Sequence, residues 1–302
     1  MSGFLAPYLH PKPPAMPVSS SSPTSDQART KSTYGLQWNR FRIIRDAEDR
    51  ATFANRTGLR EGDLAGKTIL DGGCGMGRYL RVAAAVAEGA RLVVGLDLSR
   101  AVEAARELTE GLDAVAIVRG DLLRPPLREG SFDHIYSIGV LDHTPDPRAA
   151  FLQLAKLLKP GGRIAVWVYQ RESPMVERVM NLHRAVSTRL PLGLLLGLCR
   201  LTAPIGLWKR RLMASRWRAV ERFGVAMHAL TIGVSMHPDA EVRVCDTLDW
   251  YAPKYLSRHT VEEVAGWFAE AGLVDVVDLS PGQVFHHEGQ GNGVNLAGRR
   301  PA

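Results

Sequence analysis

The stretch ILDGGCGMG, at positions 69–77, decides which fold we expect for this chain. An apolar run ends at Asp71 and is followed by glycines at positions 73, 75 and 77. Glycine adopts positive φ angles without strain and lets a ligand approach the backbone, and the amides that open the next helix then face that ligand. The pattern predicts a strand, a ligand-binding turn and a helix. A nicotinamide-binding turn more often has the spacing G-x-G-x-x-G, and a purely structural turn is the remaining alternative.

Strands and helices alternate along the chain around this turn. Hydrophobic periodicity predicts strands at 67–71, 92–97, 114–119, 132–137, 163–169, 273–279 and 294–299, and helices at 42–57, 78–87, 100–109, 147–158 and 260–271. Strands that alternate with helices pair in parallel, and the helices cover both faces of the sheet. We therefore predict an α/β fold with a doubly wound, mostly parallel seven-stranded sheet.

Two parts of the chain interrupt this alternation. Residues 1–33 are rich in Ser and Pro, which predicts a disordered leader. Residues 172–253 hold apolar and basic helical segments separated by prolines, which predicts an inserted helical cap. An N-terminal helical segment and the cofactor-binding core would then occupy 34–171, and the last helix and strands, at 254–302, would complete the core sheet.

The composition is that of a globular protein with a basic surplus. Hydrophobic residues make up 45% and charged residues 23% of the 302 residues, and the net charge is +7. Basic residues concentrate between Arg200 and Arg222, which permits an anionic substrate or a nucleic acid as partner. The three cysteines lack C-x-x-C spacing, so we expect neither a metal site nor a disulfide framework, and we expect a cytoplasmic protein. We find no apolar run of about 18 residues and expect no membrane span.

Acidic and polar residues follow the second, third and fourth predicted strands. Asp97 lies roughly 20 residues past the glycine turn, where an acid binds ribose hydroxyls, although it could instead cap a helix. Asp121 could accept a hydrogen bond from an adenine amino group or form an Asx-turn. The fourth strand runs through FDHIYSIGVLDH, at 132–143, towards the same edge of the sheet. The LKPGG at 158–162 is a structural turn before the fifth strand.

These features, in this order over residues 67–169, resemble the class I S-adenosylmethionine-dependent methyltransferases. TYGLQWNRFR at 33–42 and YLSRHT at 255–260 also look like a bacterial small-molecule subgroup of that family. The resemblance implies S-adenosyl-L-methionine as cofactor. It places five residues at the methionine end of the cofactor: Asp71, Gly73, Gly75, Ser137 and Ile138. It places Asp97 on the ribose, and Leu98, Asp121 and Leu122 at the adenine. It also implies that Tyr34, Gln37 and Trp38 fold over the cofactor. Many relatives have a second histidine where this chain has Asp142, so no role is carried over to that position.

Two histidines are candidates for a catalytic base. Methyl transfer by in-line displacement often requires a group that removes a proton from the attacking atom, and histidine is suited to this near neutral pH. His143 lies just past the fourth strand, and His259 precedes the last helix. A hydrogen-bonded structural role is the alternative for His143, and a contact at the helix entry is the alternative for His259.

The function that we expect is methyl transfer to an O, N or C atom of a small-molecule acceptor. RNA methylation and a non-catalytic role as an S-adenosylmethionine-binding partner subunit are the alternatives, and we find no recognisable RNA-binding module. In the predicted cap, Leu194, Leu195, Leu196 and Trp208 stand beside the basic residues 209–211. They could cover an acceptor with an apolar body or an anionic end, form a homodimer interface, or belong to an ordinary pair of core helices.

Overall fold

One sheet organises the protein, whose structure is a computed structural model that describes residues 5–10, 24–60, 62–86, 90–230, 233–280 and 293–302. Its strands are β1 (Thr68–Gly72), β2 (Leu92–Asp97), β3 (Val115–Arg119), β4 (Phe132–Ile138), β5 (Leu158–Tyr169), β6 (Val274–Asp278) and β7 (Gly293–Arg299). Their order across the sheet is β3-β2-β1-β4-β5-β7-β6. Strand β7 runs antiparallel to β5 and β6, and the other neighbours pair in parallel. The prediction of a doubly wound, mostly parallel seven-stranded sheet is confirmed.

Helices cover both faces of this sheet. They are α1 (Ser25–Arg40), α2 (Asp46–Thr57), α3 (Arg78–Val86), α4 (Ala101–Leu108), α5 (Pro147–Lys156), α6 (Pro174–Ser187), α7 (Leu192–Met213), α8 (Arg218–Leu230), α9 (Ala240–Tyr251) and α10 (Val261–Glu270). Successive side chains of a strand point to opposite faces, so neighbouring residues of β1 enter different cores. Ile69 packs in a cluster with residues of α2 and α3, and Leu70 packs in another with residues of α5 and α10.

The chain order reverses between β1 and β4. These two strands pair directly, with Leu70 opposite Ile135, although β2 and β3 lie between them in the sequence. Such a reversal leaves a crevice beyond the carboxyl ends of the strands, which is where doubly wound sheets bind ligands. The glycine turn after β1 and the residues after β4 both reach this crevice.

The prediction of a disordered leader over 1–33 is wrong for residues 24–33, which belong to a capped helix. Thr24 accepts a hydrogen bond from the backbone N–H of Gln27 at 3.3 Å, and α1 continues to Arg40. Thr30 and Thr33 are buried, on a helix that contacts α4 and α9. The polar composition concealed this helix because its buried side chains are polar. Residues 1–4 and 11–23 of the predicted leader lie outside the described residues.

Residues 5–10 also pack on the folded core. Leu9 forms an antiparallel bridge with Leu127, and the backbone N–H of Arg128 donates to Tyr8 O at 2.8 Å. The Tyr8 ring lies 6.1 Å from the Phe132 ring, centroid to centroid. The leader prediction is therefore also wrong for these six residues, since they bury apolar side chains against the sheet.

Helices α6 to α9 fall within the stretch where a helical cap is predicted, between β5 and α10. Their core contains Leu195, Leu196 and Cys199 of α7 with Val244 and Leu248 of α9. By length and apolar composition alone α7 could cross a membrane, and 33% of its apolar window is buried in the protein. The sequence prediction overlooked this because it ended the apolar run at Arg200.

Candidate functional site

A cleft opens at the carboxyl edge of the sheet, between the glycine turn and α1. It brings together ten of the residues that the sequence predicts for the site: Tyr34, Trp38, Gly73, Gly75, Asp97, Leu98, Asp121, Leu122, Ile138 and His143. Tyr34 and Trp38 share a face of α1 because they are four residues apart. One wall of the cleft is therefore formed by a helix whose first part was predicted to belong to the disordered leader.

The backbone of the glycine turn needs the residues that it has. Gly73, Gly75 and Gly77 have φ angles of 96°, 52° and 87°, in the region that side-chain-bearing residues rarely adopt. A Cβ atom at Gly73 would lie 2.3 Å from Cγ1 of Val140, so a side chain there would collide with the segment that follows β4. The turn thus exposes its backbone to the cleft and packs tightly behind it.

Asp97 connects the turn to the end of β2. Its Oδ2 accepts a hydrogen bond from the backbone N–H of Gly75 at 2.9 Å, and its Oδ1 accepts from the backbone N–H and the hydroxyl of Ser99, both at 2.7 Å. The alternative of a helix N-cap does not apply, because α4 begins at Ala101 and its N-cap residue is Arg100. The carboxylate is held in the wall of the cleft, where it suits ribose hydroxyls.

Asp121 has the geometry of both roles considered for it. Its Oδ1 accepts from the backbone N–H of Leu123 at 2.9 Å, as in an Asx-turn, and its Oδ2 accepts from Nε2 of Gln27 at 3.4 Å. Because Asp121 and Leu122 also line the cleft, the turn presents an acceptor at the end where an adenine would lie.

Asp71 and Ser137 lie beneath the cleft instead of lining it. Burial raises the pKa of Asp71 well above its ordinary value, the nearby Asp97 raises it further, and Tyr136 opposes these effects. The Ser137 hydroxyl donates to Gly72 O at 2.7 Å. The Ser137 hydroxyl thus supports the glycine turn from below, and neither side chain lines the cleft at the methionine end implied for it.

Gln37 also lies outside the cleft, contrary to its predicted place over the cofactor. It is 1% exposed, and its Nε2 donates to Cys245 O at 3.4 Å and to Asp249 Oδ1 at 3.5 Å. The side chain points towards α9 because it follows Tyr34 by three residues and precedes Trp38 by one, which places it on the neighbouring face of α1.

His143 lies in the wall of the cleft with carboxylates on one side. Its Nδ1 is 3.2 Å from Tyr255 O, and because a carbonyl oxygen only accepts, we assign the proton to Nδ1. Its Nε2 lies 3.7 Å from Asp249 Oδ2 and 3.9 Å from Asp142 Oδ2. Burial raises the pKa of Asp142, an effect that His143 opposes.

His259 does not reach the cleft. Its Nε2 lies 2.8 Å from the Ser257 hydroxyl, its Nδ1 lies 3.4 Å from Glu263 Oε2, and its ring packs edge-on against Trp267 at 4.8 Å. Burial lowers its pKa below the ordinary histidine value. These contacts match the alternative of a structural role at the entry to α10, and they do not place His259 near a reacting atom.

A profile of known families matches the part of the chain that carries the turn and both acids. Residues 70–166 match a family described as a methyltransferase domain. The chain carries a class I methyltransferase domain. The cofactor of this domain is S-adenosylmethionine.

Named relatives align with the same methyltransferase domain. An uncharacterised 37.1 kDa protein in transposon TN4556 of Streptomyces fradiae is 39% identical over 33% of this chain and 30% of its own length. Ubiquinone biosynthesis O-methyltransferase of Pseudomonas paraeruginosa is 34% identical over 33% of this chain and 44% of its own length. Sterol 24-C-methyltransferase of Pneumocystis carinii is 32% identical over 42% of this chain and 35% of its own length. The matches span less than half of these relatives.

A solved structure shares the fold over most of the chain. It is a chain of the complex between the Haloferax volcanii Trm112 methyltransferase activator and a methyltransferase, and it has a TM-score of 0.52 at 17% identity. The match covers 89% of this chain and 98% of that chain. At this identity it shows a common fold.

The cleft of the methyltransferase domain fits its cofactor. Asp97 offers a carboxylate for ribose, Asp121 offers an acceptor for the adenine edge, and Gly73 and Gly75 of the turn line the cleft. Gly75 lies against Trp38, since a Cβ there would be 3.3 Å from the indole Nε1. The two carboxylates and the glycine turn suit the ribose and the adenine of this cofactor.

A second cavity adjoins the cofactor cleft. Trp38, Arg78, Tyr79, Ile138 and Gly139 line both spaces. The rest of the second cavity, which we call the acceptor cavity, is formed mainly by α2, by the end of β5 and by α9. Its lining includes Asp49, Arg56, Trp167, Tyr169, Asp249 and Trp250.

Sequence reasoning missed the contributions of the first half of α1 and of α9 to these spaces. Gln27, Thr30 and Lys31 line the cleft together with Tyr34 and Trp38. The spacing of these five residues is helical, so the signal was present, but Gln27, Thr30 and Lys31 were assigned to the leader. Asp249 carries no comparable signal, because nothing local to α9 indicates that its side chain meets His143.

Proposed function

We propose that this protein transfers the methyl group of S-adenosylmethionine to a small-molecule acceptor that enters through the acceptor cavity. The observation that carries the proposal is the junction of the two cavities at Trp38, Ile138 and Gly139. A methyl donor in the cleft and an acceptor in the second cavity would then meet across one short gap. When bound, the cofactor supplies an electrophilic methyl group on a sulfonium.

Asp97, Asp121 and the glycine turn would hold the cofactor, and α1 would cover it with Tyr34 and Trp38. These two side chains line the cleft and would limit the access of water to the cofactor. Ser137 would keep the turn in shape from below. Alignment of donor and acceptor within a closed site is the main requirement of an in-line displacement.

The walls of the acceptor cavity favour a flat apolar body with an anionic group. Trp167, Tyr169 and Trp250 supply aromatic surface. The Arg56 guanidinium lies over the Trp167 ring, 4.1 Å from its centroid, and forms no ion pair with a described carboxylate. Burial lowers the pKa of Arg56, but a guanidinium remains charged in proteins.

The other charges of the cavity have partners of their own. Asp49 Oδ1 lies 3.5 Å from Arg78 Nη1, and Asp249 Oδ2 accepts a hydrogen bond from the Tyr169 hydroxyl at 2.9 Å. Arg56 is thus the cation best placed to pair with an acceptor carboxylate or phosphate. Stacking of an arginine on an aromatic ring also fixes its planar donors for a bidentate contact.

His143 would receive the proton of an attacking hydroxyl or amine. Its Nε2 is unprotonated in the assigned tautomer and faces Asp249 and Asp142. Asp249 Oδ2 and Asp142 Oδ2 lie 3.7 Å and 3.9 Å from this nitrogen and would orient the ring. The names of the relatives, an O-methyltransferase and a C-methyltransferase, support small-molecule acceptors and leave the attacking atom open.

The test uses labelled S-adenosylmethionine with two acceptor pools. The purified protein is incubated with bulk tRNA and with a metabolite extract that has been divided by anion exchange. We expect label in small molecules that the exchanger retains. Arg56→Gln should lower this transfer about tenfold or more, as for the loss of a charged hydrogen-bond partner. Its affinity for S-adenosylhomocysteine should be unchanged.

Arg60→Gln is the matched control, because Arg60 is exposed just beyond the same helix. It should transfer label like the parent protein. Label found only in tRNA, or in no pool, would overturn the proposed function. Label in the unretained fraction would leave methyl transfer standing and refute the anionic group. The three free cysteines are buried, which supports our further proposal of a reducing, cytoplasmic location.

A further inference from the structure

The outer face of α7 is apolar where a soluble helix is usually polar. Leu194, Leu198, Leu201, Ile205 and Trp208 are 54%, 41%, 75%, 41% and 47% exposed. Their spacing of four, three, four and three residues places them in one stripe along the helix. We call these five residues the outer stripe. An amphipathic helix normally turns such a stripe to the core.

The core side of α7 is already occupied by different residues. Leu195, Leu196, Cys199 and Ala203 are buried and pack with α9. The outer stripe is thus a second apolar face. Neighbouring helices also expose large apolar side chains: Met175, Leu182 and Val186 on α6, and Val220 and Phe223 on α8. Trp217, just before α8, is 67% exposed.

The same helices carry a strong excess of exposed positive charge. Seven arginines between residues 174 and 224 are exposed: Arg178, Arg189, Arg200, Arg211, Arg216, Arg218 and Arg222. Glu221 is the exposed acid in that stretch. Apolar side chains rimmed by arginines match the interface of a lipid bilayer with anionic headgroups, where arginine stems lie along the apolar surface and their charges meet phosphates.

We propose that the cap docks on an anionic membrane surface, with the outer stripe of α7 lying in the headgroup region. Over its fourteen residue steps the stripe is about 21 Å long, which suits a helix parallel to the surface. Trp208 and Trp217 add side chains with an apolar ring and a polar N–H, the type enriched at such interfaces. Lipid attraction grows with both the apolar area and the basic charge, and this cap supplies the two together.

Two other arrangements fit less well. A second copy of the chain on this face would bring seven arginines against seven arginines with few acids between them, which opposes association. A transmembrane arrangement would require α7 to leave α8 and α9. Helix α7 has six buried residues in the folded protein, including Lys209, which is 0% exposed.

The test is co-sedimentation of the full chain with lipid vesicles at low ionic strength. We expect binding to vesicles of phosphatidylcholine with one quarter phosphatidylglycerol, weaker binding to pure phosphatidylcholine, and a decline as salt is added. Leu201→Glu, on the most exposed position of the stripe, should reduce binding about tenfold or more. Val277→Glu is the matched control, because Val277 is 49% exposed on β6, outside the cap.

Both variants should keep the parent melting temperature and affinity for S-adenosylhomocysteine, which shows that a loss of binding is not a loss of folding. The proposal is overturned if the parent protein stays in the supernatant with anionic vesicles, or if Leu201→Glu and Val277→Glu bind equally well. It is also overturned if light scattering shows a dimer that Leu201→Glu dissociates while neither form binds vesicles. None of these measurements depends on methyl transfer.

Discussion

At the residue scale, Asp97 joins two parts of the cofactor cleft through one carboxylate. One oxygen holds the backbone of Gly75 and the other holds Ser99. The residue therefore orders the glycine turn before any ligand arrives, and it would also meet the ribose. Removal of such a carboxylate leaves a backbone N–H without its partner and a ligand hydroxyl without its acceptor.

We expect Asp97→Ala to weaken S-adenosylhomocysteine binding by about 1–3 kcal/mol, the range for stranded hydrogen-bond partners. Isothermal titration calorimetry measures the change. Asp113→Ala is the control, since Asp113 is an exposed acid away from the cleft. Equal affinities in the two variants would contradict the role of Asp97, and tight NAD binding without a response to S-adenosylhomocysteine would contradict the cofactor.

At the element scale, two segments near the N-terminus act as parts of the fold. Helix α1 covers the cofactor cleft, and residues 5–10 add a short bridge beside Leu127. Tyr8 connects the second segment to the sheet through its contact with Phe132, which is fully buried. A leader that contributes no stability would have neither contact.

Tyr8→Ala should therefore lower the free energy of unfolding by roughly 1–3 kcal/mol, less than the cost of truncating a fully buried aromatic residue. Urea unfolding followed by circular dichroism measures it. His10→Ala is the matched control, because the His10 side chain is exposed and its backbone N–H still donates to Pro126 O. If Tyr8→Ala and His10→Ala unfold alike, residues 5–10 do not dock in solution.

At the scale of the whole molecule, buried titratable groups couple stability to pH in opposite directions. Burial lowers the pKa of His134 and His259, and burial raises the pKa of Asp71 and Asp142. Below the ordinary histidine pKa of about 6.5, the unfolded chain binds protons that the folded histidines refuse. The two histidines therefore lower the free energy of unfolding as pH falls below about 6.5. The two acids lower it as pH rises from their ordinary pKa to their raised pKa in the folded protein.

The histidine contribution is separable by comparison with variants. As pH is lowered from 7.5 to 5.5, the chosen measurement range, the free energy of unfolding should fall less in His134→Gln and in His259→Gln than in the parent. The reason is that a glutamine has no proton to gain. Denaturant titrations at both pH values give the difference. Between pH 7.5 and 8.5 all three proteins should respond alike. Identical responses below pH 6.5 would refute the assignment.

The sequence by itself determined the sheet and most of the cofactor cleft, because these depend on local patterns. Short apolar runs predicted the strands, and the positive φ angles of Gly73, Gly75 and Gly77 require a residue without a side chain. The acids followed, since the carboxyl ends of parallel strands meet at one edge. Asp97 and Asp121 therefore reached the predicted place without any knowledge of the packing.

Only the tertiary structure decided which surfaces meet the cleft. Helical periodicity shows that Tyr34 and Trp38 share a face, but not that this face lines the cofactor cleft while Gln37 turns to α9. Arg56 reaches Trp167, and His143 reaches Asp249, across stretches of sequence that contain several other elements. Contacts of this kind arise from how helices pack on the sheet. A local sequence pattern specifies whether a face of an element is buried or exposed. Which other element contacts that face is determined by the packing of the whole chain.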